Sequence, residues 1–185
     1  MGIKDEAVLK KIEAMTKKQF LPIIGREKGA LIEKIVKKNK PKNCLEIGTL
    51  LGYSAILIAR NLSKDAKLTT VEISPSFAKA SEENIKEAGL SAKVKLKVGD
   101  ALKVIPKLKE KFNFVFIDAT KEEYLDYLKL LENKNISAGT VVIADNAKIF
   151  VEYMADYLDY VRNSGNYKSK YYDFGHDAME VSIKL

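Results

Sequence analysis

The sequence has 185 residues, of which 46% are hydrophobic and 31% charged, a composition that predicts one compact domain and excludes a disordered chain. The net charge of +7 comes almost entirely from lysine, because the chain has only three arginines. The single Cys44 excludes an internal disulfide and a cysteine-built zinc site. No apolar run reaches the roughly 20 residues that span a bilayer, and the N-terminus lacks a signal-peptide core. We therefore predict a cytoplasmic protein that does not associate with membranes.

In chain order, the hydrophobic pattern predicts two N-terminal helices followed by a regular alternation of strands and helices. The predicted helices cover residues 4–20, 27–39, 53–62, 75–89, 122–132 and 150–162. The predicted strands cover residues 44–47, 68–73, 94–98, 112–117, 140–144, 169–174 and 178–184. Such alternation is typical of an α/β fold with a largely parallel sheet and helices on both faces. We predict one domain, residues 1–185, with N-terminal helices in 1–40 and the α/β core in 41–185.

Five successive strands each deliver a carboxylate at or just after their carboxyl end: Glu46, Glu72, Asp100, Asp118 and Asp145, the last followed by Asn146. The carboxyl ends of parallel strands meet at one edge of the sheet, which is where such folds bind ligands. Helix N-capping accounts for one or two of these acids. The whole set indicates a functional site, because clustered carboxylates repel one another.

The loop after the first strand, Glu46 to Gly52, is glycine-bearing but is not a dinucleotide loop. Its glycines allow close approach of the backbone to a ligand. Leu50 stands where the pattern G-x-G-x-x-G has its second glycine, and the Glu46 carboxylate opposes a pyrophosphate. Glu46 suits a cationic group, and Glu72 lies where an acid grips ribose hydroxyls. A ribose combined with an ammonium or sulfonium cation predicts S-adenosylmethionine (SAM) as ligand.

These motifs give the sequence its resemblance to small-molecule O-methyltransferases, the family that includes catechol and caffeoyl-CoA-type enzymes. The matching segments lie at 25–29, 45–49, 52–54, 71–73, 99–101, 116–121 and 144–146. The resemblance implies the Rossmann-like class I methyltransferase fold, a seven-stranded, mostly parallel sheet whose last strand is antiparallel. It also implies SAM-dependent methylation of a hydroxyl group.

The resemblance assigns three sets of site residues. Around the methionine part of SAM it places Ile24, Glu46, Gly48, Tyr53 and Ser54, with Asp118 nearby. Glu72 would hold the ribose, Ile73 would lie against the adenine, and Asp100 and Ala101 would lie near the adenine edge. The metal ligands would be Asp118, Asp145 and Asn146, whose oxygen atoms suit Mg²⁺ or Mn²⁺. The catalytic pair would be Asp118 and Lys121, with Lys121 as general base.

The sequence leaves open the roles of several other residues near the proposed site. Tyr124 is either a pocket wall or part of the core. His176, the only histidine, is interpreted as structural or exposed, and Asp177 as helping to shape the pocket. Thr120 stands where relatives often carry an acid or an aromatic residue. The segment 147–150 lacks the glycine common in the family's substrate loop. These departures lie on the substrate side and leave catechol specificity open.

Three functions remain open from the sequence. The first is a metal-dependent O-methyltransferase for a small, catechol-like hydroxyl acceptor. The second is a related enzyme that methylates hydroxylated uridine in tRNA, which the scarcity of arginine disfavours. The third is a non-catalytic SAM-binding domain, which the intact set of acidic residues and Lys121 disfavours. The protein is expected to be a monomer or a homodimer.

Overall fold

The computed structural model describes residues 2–19 and 21–185, which form seven strands, seven α-helices and two short 3₁₀ turns. The helices are α1 (Ile3–Lys18), α2 (Gly25–Asn39), α3 (Tyr53–Arg60), α4 (Pro75–Glu87), α5 (Ala101–Val104), α6 (Tyr124–Lys134) and α7 (Ala155–Asn163). The strands are β1 (Asn43–Ile47), β2 (Lys67–Glu72), β3 (Val94–Val98), β4 (Phe114–Ile117), β5 (Val141–Asp145), β6 (Tyr167–Asp173) and β7 (Ala178–Lys184). The 3₁₀ turns are Ile105–Lys107 and Lys121–Glu123.

All seven strands belong to one sheet with the order β3-β2-β1-β4-β5-β7-β6. The neighbours from β3 to β5 pair in parallel, whereas β7 is antiparallel to both β5 and β6. The predicted Rossmann-like sheet with an antiparallel last strand is therefore confirmed. The strand order reverses between β1 and β4, which makes their carboxyl ends the point where this class of sheet binds ligands.

Both faces of the sheet are covered, and alternate residues of the central strands serve separate cores. Phe114 and Phe116 of β4 pack with α1 to α4 on one face. Val115 and Ile117 pack with α5 to α7 on the other face. This double burial explains why β4 reads as a continuous apolar run rather than an alternating one.

The N-terminal helices belong to the first of these layers. Leu9 and Ile12 of α1 are fully buried in the same core as α3. Arg60 of α3 donates hydrogen bonds to Glu6 of α1 and to Glu33 of α2, at 3.0 and 2.5 Å. The N-terminal part of the chain is thus packed against the sheet. The carboxyl end of the predicted helix 4–20 lies at a residue outside the described ranges.

The structure differs most from the predicted elements in two places, and the other described boundaries agree within two residues. The predicted helix 150–162 starts only at Ala155, because the chain leaves β5 through Asn146 in a left-handed conformation (φ 65°) and forms turns up to Met154. The short helix α5 was not predicted, since Pro106 ends regular helix within about two turns and leaves too short a pattern to detect. No helix in the described ranges is long and apolar enough to cross a membrane.

Candidate active site

A cavity of about 780 Å³ opens at the carboxyl edge of the sheet, where strands β1, β2, β4 and β5 end. Most residues predicted from the sequence line this cavity: Ile24, Gly48, Tyr53, Ser54, Glu72, Ile73, Asp100, Ala101, Asp118, Lys121 and Asn146. Glu46 and Asp145 are not among the lining residues, and both side chains are buried. His176 is exposed and lies outside the cavity lining.

The loop after β1 passes so close to the end of β4 that only glycine fits at position 48. Gly48 has a φ of +94°, and an added Cβ would lie 2.0 Å from the backbone oxygen of Asp118. The glycine requirement is therefore steric as well as conformational. This contact brings the backbone of the loop against the backbone that carries Asp118.

Glu72 organises the same loop with its carboxylate. Its Oε2 accepts hydrogen bonds from the backbone amides of Thr49 and Leu50, at 3.1 and 2.8 Å. Its Oε1 accepts one from the amide of Ser74, at 2.9 Å. A carboxylate has about four acceptor positions, and these three amides leave one of them, on Oε1. Because Glu72 lines the cavity, that position is placed to accept a hydroxyl group.

Glu46 is fully buried and only partly satisfied by hydrogen bonds. Oε2 accepts a hydrogen bond from Thr70 Oγ1 at 2.5 Å, whereas Oε1 has no partner among the described residues. Burial raises the pKa of Glu46 to about 7, and the charges of Asp118 and Glu72 add to the shift. A carboxylate in this state is stabilised by any cation that comes near it.

The cavity wall beside Glu72 is apolar. Ile73 is 70% exposed, and together with Phe77 it lines the cavity beside Glu72. An exposed isoleucine beside the carboxylate of Glu72 offers an apolar surface for a planar ring. Asp100, by contrast, caps α5, since its Oδ1 accepts a hydrogen bond from the amide of Leu102 at 2.9 Å. Helix capping is thus the structural role of this one member of the acidic set.

Lys121, which follows β4 and lines the cavity, is held by two oxygen atoms. Its Nζ donates to Asp118 Oδ1 and to Tyr124 Oη, both at 2.9 Å. Tyr124 itself is fully buried and is absent from the cavity lining. The interpretation of Tyr124 as core is therefore correct for its ring, while its hydroxyl reaches the site.

Lys28 is a site residue that the sequence analysis did not single out. Its side chain, 11% exposed, donates to Asp145 Oδ1 at 2.6 Å and to Asp177 Oδ2 at 2.5 Å. Burial opposes the charged form of Lys28, but the two carboxylates raise its pKa overall. Lys28 lies in segment 25–29, one of those that carry the family resemblance. Nothing else in the sequence marks it as a site residue. Its partners are more than 100 residues away in the sequence.

Asp177 connects this lysine to the turn after β5, as expected for a residue that shapes the pocket. Its Oδ2 also accepts from Asn146 Nδ2 at 2.7 Å, and its Oδ1 accepts from the amide of Ile149 at 3.2 Å. Because Asn146 Nδ2 is engaged, the amide oxygen of this side chain is the end left for the cavity. Asp177 therefore sets the orientation of Asn146.

The donor set of Asp118, Asp145 and Asn146 fits a hard divalent cation in its chemistry. It offers two carboxylates and one oriented amide oxygen, the ligand types of Mg²⁺ and Mn²⁺. Each aspartate contacts its lysine through Oδ1 alone. Within the described residues no group of three or more histidine, cysteine, aspartate or glutamate side chains is arranged for a metal. A site here would thus depend on the amide oxygen of Asn146 and on water or substrate oxygens.

A mostly parallel sheet with a reversed strand order, an antiparallel β7 and a glycine loop followed by an acidic residue at the end of β2 is the arrangement of the Rossmann-like class I methyltransferase fold. Comparison with known proteins agrees. The family model described as O-methyltransferase matches residues 1–161. Catechol O-methyltransferase B of Danio rerio is 38% identical over 174 residues, which cover 88% of this chain and 65% of that protein. Catechol O-methyltransferase of Mus musculus is 34% identical over 183 residues, covering 95% of this chain and 68% of that protein.

Solved structures show the same architecture. An O-methyltransferase of Bacillus cereus, in complex with SAH, superposes with a TM-score of 0.87 at 25% identity, covering 97% of this chain and 91% of that one. An O-methyltransferase of Streptomyces achromogenes involved in tomaymycin synthesis, in complex with SAM, gives 0.85 at 25% identity, with 96% and 89% covered. The chain belongs to the O-methyltransferase family, which confirms the resemblance found in its sequence. It spans about two thirds of the length of the two catechol O-methyltransferases.

The raised pKa of Glu46 predicts a pH dependence of stability. In the unfolded chain this carboxyl group loses its proton near its ordinary pKa of 4.5, whereas in the folded protein it keeps the proton up to about pH 7. The native state therefore binds more protons between these values, and its stability should fall as pH rises through this window. Urea unfolding at pH 5, 6, 7 and 8 measures the decline, which Glu46→Gln should reduce.

The exposed Glu152→Gln is the matched control and should leave the profile as in the wild type. Some decline should persist in Glu46→Gln, because burial and the charge of Asp118 also raise the pKa of Asp145 to about 7. Parallel profiles for the wild type and Glu46→Gln would contradict the assignment.

Proposed function

We propose that this protein transfers the methyl group of SAM to a hydroxyl oxygen of a small, catechol-like acceptor, with the help of a divalent metal. The observation that carries the proposal is a single cavity lined by two chemically different sets of residues. One set, the proposed cofactor end, is the glycine loop with Glu72, and the other, the proposed acceptor end, is Asp118, Lys121 and Asn146. Its volume of about 780 Å³ lies in the range of small-molecule sites. Among the described lining residues only Lys121 is basic, which favours a small acceptor over an RNA backbone.

The cofactor end supplies one contact for each part of SAM. The remaining acceptor position on Glu72 Oε1 suits a ribose hydroxyl, and Ile73 suits the adenine ring. The positive charge of the methionine part would lie near Glu46, whose unpartnered Oε1 gains from a nearby cation. Ile24, Gly48, Tyr53 and Ser54 line this part of the cavity, consistent with the roles that the family resemblance implies.

The acceptor end supplies orientation and proton transfer. Asp118, Asp145 and Asn146 would hold Mg²⁺ or Mn²⁺, which when bound lowers the pKa of a hydroxyl group and fixes its direction. Lys121 Nζ then takes the proton of the acceptor hydroxyl. Ile149 and Phe150 form an apolar wall at this end, which suits the ring of an aromatic acceptor. A monomeric or homodimeric state and a cytoplasmic location stay predictions.

The role of Glu72 can be tested on the ligand, without disturbing the loop that Glu72 holds. SAH should bind the wild type more tightly than its analogue lacking the ribose hydroxyls. A hydrogen bond to a charged group contributes about 1.5–3 kcal/mol, or roughly 10- to 150-fold in Kd. In Glu72→Ala, SAH should bind weakly and the analogue should bind equally weakly. Calorimetry measures all four Kd values. An undiminished preference for SAH in Glu72→Ala would show that the ribose lies elsewhere.

Metal dependence is the second expectation. A chelator should abolish methyl transfer to 3,4-dihydroxybenzoate, and added Mg²⁺ or Mn²⁺ should restore it. SAH binding should persist in the chelator, because the metal belongs to the acceptor end. Asn146→Ala should weaken Mn²⁺ binding, measured by electron paramagnetic resonance, while the exposed Asn163→Ala should not. Full activity in excess chelator would remove the metal from the proposal.

Lys121→Ala should bind SAH and Mn²⁺ normally but lose about 10²- to 10⁴-fold in single-turnover methyl transfer, the range for a positioned acid or base. The loss should shrink as pH rises, because solvent then removes the hydroxyl proton without help. The exposed Lys109→Ala is the control and should react at the wild-type rate. A wild-type rate for Lys121→Ala at pH 7 would leave the metal as the only activator.

A further inference from the structure

Tyr124 joins the aromatic core to the acceptor end of the cavity. It is the first residue of α6 and is fully buried. Its ring packs edge-on against Tyr157, with centroids 5.8 Å apart, and at a tilt against Tyr127, at 6.5 Å. Its Oη accepts a hydrogen bond from Lys121 Nζ at 2.9 Å. The phenol is thus immobilised by packing at one end and contacts a proposed reacting group at the other.

Lys121 would otherwise have no fixed position. A lysine side chain has four rotatable bonds and loses up to about 2 kcal/mol of rotamer entropy when it is fixed. Here its Nζ is fixed by Asp118 Oδ1 and by Tyr124 Oη, both at 2.9 Å, and lies 5.9 Å from the ring centroid of Phe150. Only 14% of the side chain is exposed. The amine therefore occupies one place at the cavity wall.

We infer that Tyr124 is a positioning residue for the proton transfer, because its hydroxyl and the carboxylate of Asp118 together fix Lys121 Nζ at the cavity wall. The inference rests on the proposed role of Lys121 as base. In that role the O–H bond of the acceptor breaks as an N–H bond forms on Nζ, so Nζ has to lie within hydrogen-bond reach of the hydroxyl group.

Tyr124 is suited to this role in a way that Asp118 alone is not. Asp118 is also a proposed metal ligand, so its carboxylate would have to contact both the metal and Lys121. The Tyr124 hydroxyl is carried by a ring that packs in the core, and it is not a proposed metal ligand. Without it, Lys121 Nζ would keep only its hydrogen bond to Asp118, and the side chain could move away from the acceptor.

The chain contains a matched control for the loss of a buried hydroxyl. Tyr157 lies in the same aromatic cluster and is also fully buried, but its Oη has no hydrogen-bond partner among the described residues. Tyr157→Phe and Tyr124→Phe therefore remove the same atom from the same core. Only Tyr124→Phe removes a contact with Lys121.

The experiment compares single-turnover methyl transfer to 3,4-dihydroxybenzoate with saturating SAM and Mg²⁺. Tyr124→Phe should slow the chemical step by about 10- to 100-fold, as expected for a misdirected reacting group. Its Kd for SAH and its KM for the acceptor should stay within about twofold of the wild type. Tyr157→Phe should react within about twofold of the wild-type rate.

A double-mutant cycle shows whether Tyr124 acts through Lys121. In the Lys121→Ala background, Tyr124→Phe should change the rate by less than about twofold, since no amine is left to direct. An equal slowing in both backgrounds, or an equal slowing by Tyr157→Phe, would overturn the inference. A wild-type rate for Tyr124→Phe combined with a slow Lys121→Ala overturns the inference alone. A wild-type rate for Lys121→Ala overturns the base assignment and the inference together.

Discussion

The concentration of negative charge at one edge of the sheet is the constraint on which the rest of this structure depends. Five strands bring a carboxylate to that edge: Glu46, Glu72, Asp100, Asp118 and Asp145. Side chains of like charge destabilise one another unless each is compensated, and here each compensation also builds part of the site. Three backbone amides satisfy Glu72 and thereby shape the glycine loop. Lys121 and Lys28 donate hydrogen bonds to Asp118 and Asp145, and these contacts place Lys121 in the cavity wall and Lys28 next to it.

Glu46 is the exception to this compensation, and the exception indicates what kind of ligand the cavity binds. Its Oε2 accepts a hydrogen bond from Thr70, its Oε1 has no partner among the described residues and the side chain is completely buried, an arrangement that costs stability. An uncompensated carboxylate beneath a ligand cavity is explained if the ligand itself supplies the missing charge. The cationic methionine part of SAM is such a ligand, and the family to which the chain belongs has members solved with SAM and SAH.

The sequence was sufficient for the sheet and for the positions of most site residues, because each depends on local pattern. The strands are short apolar runs, and a residue that follows such a run must lie at the sheet edge. Contacts between segments that are far apart in the sequence cannot be predicted from the local pattern. The link from Lys28 to Asp177 spans 149 positions, and nothing in the local pattern of α2 marks one lysine among many. Tyr124 was ambiguous for a different reason, because its ring follows the core pattern of α6 while its hydroxyl contacts Lys121, three residues earlier in the chain.

The contacts of Lys28 also explain why the N-terminal helices belong to the functional unit. Ile24, just before α2, lines the cavity, and Lys28 on the first turns of α2 bonds Asp145 and Asp177. Asp177 in turn orients Asn146 through a hydrogen bond of 2.7 Å. A buried ion pair contributes little net stability by itself, but breaking it leaves an uncompensated charge. The position of α2 is therefore coupled to the orientation of Asn146, so the cavity wall at Ile24 and the proposed metal ligands Asp145 and Asn146 are linked through one buried lysine.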